Sequence, residues 1–141
     1  MNTKLRTCIF VFVALFFASN GLAQKVPVSM VAGASVNDDQ TTLRFSQSLA
    51  DEIQLSGNFY MWPGKVLPQN GVRITVRSIR ITLKNGNELG SAILIEAECP
   101  SGKDPGYFKV VSAQLMMIPK DDSVADETRS FLASVDRELK R

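Results

Sequence analysis

Residues 72–84 (VRITVRSIRITLK) alternate between apolar and polar side chains, the pattern of a strand with one face against a core. The apolar set is Val72, Ile74 and Val76, then Ile79, Ile81 and Leu83. The phase changes from even to odd at Arg77-Ser78, where a β-bulge is expected. Asn85-Gly86 follows, a pair that favours the left-handed backbone of a tight hairpin. The return strand runs from about Leu89 to Cys99, with Ile93, Ile95, Ala97 and Cys99 on one face and Leu94, Glu96 and Glu98 on the other. After the turn-rich segment 100–106, Tyr107 to Ile118 (YFKVVSAQLMMI) is apolar on both faces, as a central strand would be, and Pro119 stops it. Residues 26–33 read as a first strand, with Pro27 tolerable at an edge or strand start. Asn58 to Trp62 (NFYMW) read as a short aromatic strand halted by Pro63-Gly64.

Two stretches carry helical periodicity instead. Between Thr41 and Leu55, Phe45, Leu49, Ala50 and Ile53 fall on one side. Asn37, Asp38 and Asp39 precede them as a turn, with Asp39 as the N-cap, and Gly57 is expected as the left-handed C′ residue. Between Ser123 and Lys140, the stripe is Val124, Thr128, Phe131, Leu132, Val135 and Leu139. Ser123 with Asp126 approximates a capping box. The order β-α-β-β-β-β-α, without repeat or linker, predicts one α+β domain. Its expected form is a four- to five-stranded, mostly antiparallel sheet with two helices packed on one face.

The first 23 residues belong to neither pattern. Lys4 and Arg6 precede an unbroken apolar run from Ile9 to Ala18, then Ser19-Asn20 and the small residues of Gly21-Leu22-Ala23. A membrane span needs about 20 apolar residues, and this run suits the core of a secretory signal peptide. Cleavage is expected after Ala23, leaving residues 24–141 as a single periplasmic or secreted domain without stable membrane insertion. Lys4 and Arg6 leave with it, which balances basic and acidic residues and argues against a nucleic-acid partner. Cys8 leaves too, so Cys99 stands alone, and as the end of an apolar strand it reads as a buried small residue with an intermolecular bridge as the alternative. The chain has no histidine, which removes Ser-His-Asp and Cys-His catalysis and His-ligated zinc. Nothing in the sequence calls for a cofactor or a metal.

Three constellations carry some chemistry. Arg73, Arg77, Arg80 and Lys84 project from the long strand and can grip an anion, or pair with Glu96 and Glu98 across the hairpin. Asp38-Asp39 can hold a cation or cap the helix; no further oxygen ligands are spaced for the cation. In the aromatic strand, alternation turns Phe59 and Met61 one way and Tyr60 and Trp62 the other, so one pair is core and the other can line a binding edge. Asp104, Glu127, Asp136 and Glu138 are the remaining acid/base candidates, with no spacing that joins any two.

The segment from Thr42 to Trp62 (TLRFSQSLADEIQLSGNFYMW), a helix running into an aromatic strand and then hairpin strands and a final helix, resembles the periplasmic TolB amino-terminal-like α+β domains and small exported proteins with the same order. The likeness in letters covers residues 49–60. A propeller like the one that follows in TolB has no room here, and a helix between the aromatic strand and the hairpin is missing. The resemblance implies an interaction module and transfers no functional residue. The reading that combines these lines is an exported, non-catalytic domain that binds another envelope or secreted protein. Its rivals are a small-ligand or inhibitor-type module using the Arg-rich face, and a carboxylate-dependent hydrolase. The targeting expectation has a direct check: protein recovered from the cell envelope should begin at Gln24 by intact-mass measurement, and a mass retaining residues 1–23 would contradict it.

Overall fold

The computed structural model describes residues 24–32, 39–102 and 106–141; residues 1–23, with the expected signal peptide, and Asn37, Asp38 and Asp104 lie outside them. The elements are β1 (Val26–Ala32), α1 (Gln40–Leu55), β2 (Phe59–Met61), β3 (Val72–Thr82), β4 (Glu88–Pro100), β5 (Phe108–Pro119) and α2 (Ala125–Leu139). The five strands form one sheet in the order β2-β1-β3-β4-β5. The chain leaves β1, crosses through α1 and returns as β2 in the same direction, so β1 and β2 pair in parallel. β1 is also parallel to β3, while β3–β4 and β4–β5 are antiparallel. The fold is thus α+β with a mixed sheet.

Both helices lie on one face. From α1, Phe45, Leu49 and Ile53 are fully buried, as are Phe131 and Val135 of α2. They meet alternate residues of the strands: Val28, Phe59, the run Val72, Ile74 and Val76, then Ile93, Ile95 and Ala97, and Ile118. Each of these side chains larger than alanine contributes about 1.5–3 kcal/mol by leaving water, so the two helical stripes and the inner residues of the sheet specify each other.

Several local expectations are corrected. β3 has no bulge at Arg77-Ser78; its pairing with β4 runs unbroken from Arg73 to Ile81, and the irregularity lies between Ile81 and Thr82. Ile79 and Ile81 therefore do not rejoin the core face. β5 is an edge strand, not a central one. Gly57 is not left-handed. α1 ends instead at an extended Ser56, whose Oγ accepts from the N–H groups of Asn58 and Phe59 and so redirects the chain into β2. The capping box at Ser123 does not form: α2 begins at Ala125 without a side-chain cap bond at its N-cap, Val124. Asp126 and Glu127 lie in its first turn, where their charge favours the helix start.

The hairpin expectation holds. Gly86 has φ +85° and its N–H donates to the Leu83 carbonyl at 2.9 Å, so a side chain there would be strained. Gly90 is held by proximity: a Cβ would come within 2.1 Å of the Ile118 carbonyl oxygen, which lets β4 and β5 close on each other.

Asp39 ties the start of α1 to β4. It is 2% exposed and caps α1 by accepting from the N–H groups of Thr41 and Thr42 at 3.0 and 3.3 Å. Thr42 Oγ1 donates to its second oxygen at 2.7 Å, and Ser91 Oγ of β4 donates to the same oxygen. Burial pushes the carboxyl pKa up, but the hydrogen bonds from Ser91, from Thr42 and from the backbone outweigh it and hold it below the usual aspartate value. A depressed folded pKa means stability present above the unfolded pKa of about 3.9 and lost as pH falls through the folded value. Asp39→Ala should destabilise the domain by about 1–3 kcal/mol in denaturant titration and flatten the acid limb below about pH 4. An unchanged acid limb would contradict this role.

Candidate functional site

The second face of the sheet carries no helix among the described residues, and strand alternation decides what it shows. Across it, the register aligns Tyr60 with Pro27, then Arg73 with Glu98, Thr75 with Glu96, Arg77 with Leu94, and Ile79 with Ala92. β5 continues the rows, placing Leu115 beside Leu94 and Met117 beside Ala92. The face grades from aromatic to charged to apolar.

At the aromatic end, Phe59 is buried and Met61 packs on the core margin, so Tyr60 is turned to the outer face, 37% exposed. The Trp62 N–H donates to the Val28 carbonyl at 2.8 Å, carrying the ladder one step past β2 and setting Trp62 on Tyr60's side. Their rings meet edge to face, centroids 6.3 Å apart. Trp62 Nε1 donates to the Val66 carbonyl at 2.8 Å, and the ring lies so close over Gly64 that a Cβ there would approach Nε1 to 2.5 Å. Trp62 is half-buried because it pins its own loop, residues 63–66.

In the charged middle, Arg73 Nε and Nη2 both lie 2.8 Å from Glu98 Oε2, and the guanidinium stacks 3.6 Å over the Phe108 ring. Arg77 faces Glu96 at 3.8 Å. The expected basic stripe is divided. Arg80 sits opposite Ser91, whose hydroxyl is buried under α1 with Asp39, so its register assigns it to the face opposite Arg73 and Arg77. Lys84 lies beyond the end of β3. An anion approaching the outer face would meet two arginines already matched by carboxylates.

The apolar end was the part not singled out from the sequence. Ile79 and Leu115 are each 74% exposed and Met117 65%. Ile79 and Leu115, with Leu94, Ala92 and the stem of Arg77, border an open depression of about 380 Å³. A smaller one of about 120 Å³, bordered by Ile81, Leu89 and Met117, continues it. The signal was present in Leu94, grouped with two glutamates on the polar side of β4, and in the two-sided apolarity of 107–118.

The remaining candidates are dispersed. Asp136 pairs with Lys140 at 2.5 Å and Glu138 with Arg141 at 3.0 Å. Glu127 and Asp126 border an open groove with Gln114 and Ser130. A second groove of about 280 Å³ lies between α1, β2 and α2, and across it Arg129 pairs with Glu52 at 3.0 Å. Cys99 is half-buried at the core margin; burial pushes its thiol pKa up while Lys109 opposes it, so little thiolate forms at neutral pH. Among the described residues, no three Asp, Glu, His or Cys side chains come together as a metal site, and no helix is long and apolar enough to cross a membrane.

The two cross-strand pairs differ in exposure and geometry, and their energies should differ accordingly. A double-mutant cycle on Arg73 and Glu98 should give a coupling of about 0.5–1 kcal/mol after solvent screening, and one on Arg77 and Glu96 less than about 0.3 kcal/mol. Equal couplings, measured by urea unfolding, would contradict the ranking.

No family model matches this chain, and no curated protein is significantly similar to it.

Proposed function

We propose that this chain is a protein-binding module of the periplasm or secreted space that engages another envelope or secreted protein through the helix-free face of its sheet. The observation that carries the reading is the apolar cluster on that face, in which Ile79, Leu115 and Met117 are exposed and Leu94 is half-buried beside them. Large apolar side chains grouped on a rigid sheet and bordered by ion-paired arginines have the layout of an interface: an apolar centre with a polar rim. Tyr60 and Trp62 extend the surface at its far end with side chains of the kind enriched in binding hot spots, and Arg73 and Arg77 supply the rim. Arg80, on the other face, stands outside it. The likeness to TolB amino-terminal-like domains agrees with an interaction role. The segment before Gln24 supplies the export route on which this reading depends.

The test is affinity capture of the tagged protein from its own envelope fraction, with and without cross-linking, beside an Ile79→Asp variant. Ile79 is exposed, so the substitution should move stability by less than about 0.5 kcal/mol. A stoichiometric partner retained by the parent protein, retained by an Arg137→Ala control on α2 and lost by Ile79→Asp is the expected result. A partner indifferent to Ile79→Asp, or none after cross-linking, would overturn the proposal.

A further inference from the structure

β5 is twelve residues long and pairs with β4 on one side only; among the described residues no strand pairs with its other side. Which backbone groups face outward follows from one hydrogen bond. The Lys120 N–H donates to the Leu89 carbonyl, so stepping back by twos, Ile118, Met116, Gln114 and Ser112 direct their backbone groups to β4. Ala113, Leu115 and Met117 then present theirs outward. The regular run ends at Pro119, which has no N–H, and at the irregularity beside Val110 and Val111. Leu115 is its midpoint.

We infer that β5 is the dimerisation edge of this protein, pairing antiparallel with β5 of a second copy about a twofold axis at Leu115. In that register, Ala113 meets Met117 of the partner copy, Leu115 meets Leu115, and Met117 meets Ala113. Each is a close pair exchanging both backbone hydrogen bonds. All three outward-facing residues are satisfied by one symmetric arrangement. Their side chains lie on the outer face, so Leu115 and Met117 of the two copies join one apolar strip across the axis. From Val110 to Pro119 the strand has no charged side chain, so self-pairing sets no like charges opposite one another. At either end, Lys109 of one copy comes to the turn of the other that carries Asp121 and Asp122, where it meets opposite charge.

The same edge explains why the occupant is one further copy and not a growing stack. A long, uncharged, flat edge invites strand addition unless it is covered. Isologous pairing uses this edge once in each copy and closes. The opposite edge, β2, is three residues long and stops at Pro63, so it offers no second strand of matching length. This inference stands apart from the proposed partner-binding role, since it is read without any other protein present.

The test uses protein expressed from the full chain and purified alone. Sedimentation or light scattering should show a dimer that dissociates on dilution. Leu115→Lys, which opposes two ammonium groups at the axis, should weaken it at least about tenfold while the far-ultraviolet circular dichroism stays unchanged. Leu115→Cys should form a disulfide-linked dimer under mild oxidation, because residues facing each other across such a pair lie about 5.5 Å apart at Cα. Val110→Cys, also exposed but five residues from the axis, should not. A monomer at all concentrations, a dimer unaffected by Leu115→Lys, or cross-linking at Val110→Cys as efficient as at Leu115→Cys would overturn the inference. If Leu115→Lys fails to fold, the pair of cysteine variants decides alone.

Discussion

Two helices of about four turns can cover one face of a five-stranded sheet and no more. Every second residue of each strand must then be polar, be paired, or find apolar surface from outside the domain. The rest of this structure follows from that constraint. On the helix side the requirement is met by aliphatic and aromatic packing, from Phe45 and Phe131 down to Ile74 and Ile95. On the other side it is met in three different ways along the strands. Tyr60 and Trp62 pack on each other and on a loop. Arg73 and Arg77 neutralise Glu98 and Glu96. Ile79, Leu115 and Met117 remain exposed. Burying three such side chains on a partner would yield several kcal/mol at about 25 cal/mol per Å² of apolar area, before the cost of association.

The geometry of that face depends on how firmly the other is held. Asp39 fastens the start of α1 to Ser91 near the start of β4, Ser48 of α1 shares a hydrogen bond with Thr128 of α2 at 3.1 Å, and Arg44 donates to the Lys120 carbonyl just past β5. Ser112 of β5 in turn lies 3.0 Å, oxygen to oxygen, from Ser134 of α2. β5 is therefore anchored on its inner side by polar bonds at Ser112 and just past Pro119, while Leu115 and Met117 stay exposed on its outer side. A strand held in this way presents a preformed edge, and a partner loses little of its binding energy to ordering it.

Much of the fold was legible because the signals are local. The Asp39 cap, the Asn85-Gly86 turn, the stripe from Phe45 to Ile53 and that from Val124 to Leu139 each rest on residues a few positions apart, and each was found where the pattern put it. Two local readings failed, the left-handed Gly57 and the capping box at Ser123; the other failures were about neighbours. Two-sided apolarity in 107–118 says that both faces of the strand want apolar contact, and it does not say whether the second contact comes from the same chain. The shift of apolar phase at Arg77 had the same origin. Reading it as a bulge assumed that Ile79 and Ile81 belong in the core, whereas the straight pairing of β3 leaves them on the outer face. The parallel pairings of β1 were equally hidden, because they join segments separated by a whole helix. At the candidate site, Tyr60, Arg73 and Arg77 could be named from composition and alternation, while the apolar cluster emerges only when three strands are laid side by side.

The proposed function requires the helix-free face to be covered where the protein works. Thiol labelling of an Ile79→Cys variant tests this most directly, with the impermeant reagent applied to opened envelope preparations and to the purified, dilute protein. Slow labelling in the envelope and fast labelling after purification are expected, with an Arg137→Cys control on α2 reacting quickly in both. Equal, rapid labelling of Ile79→Cys in both settings would mean that the face is bare where the protein works, and would contradict the claim.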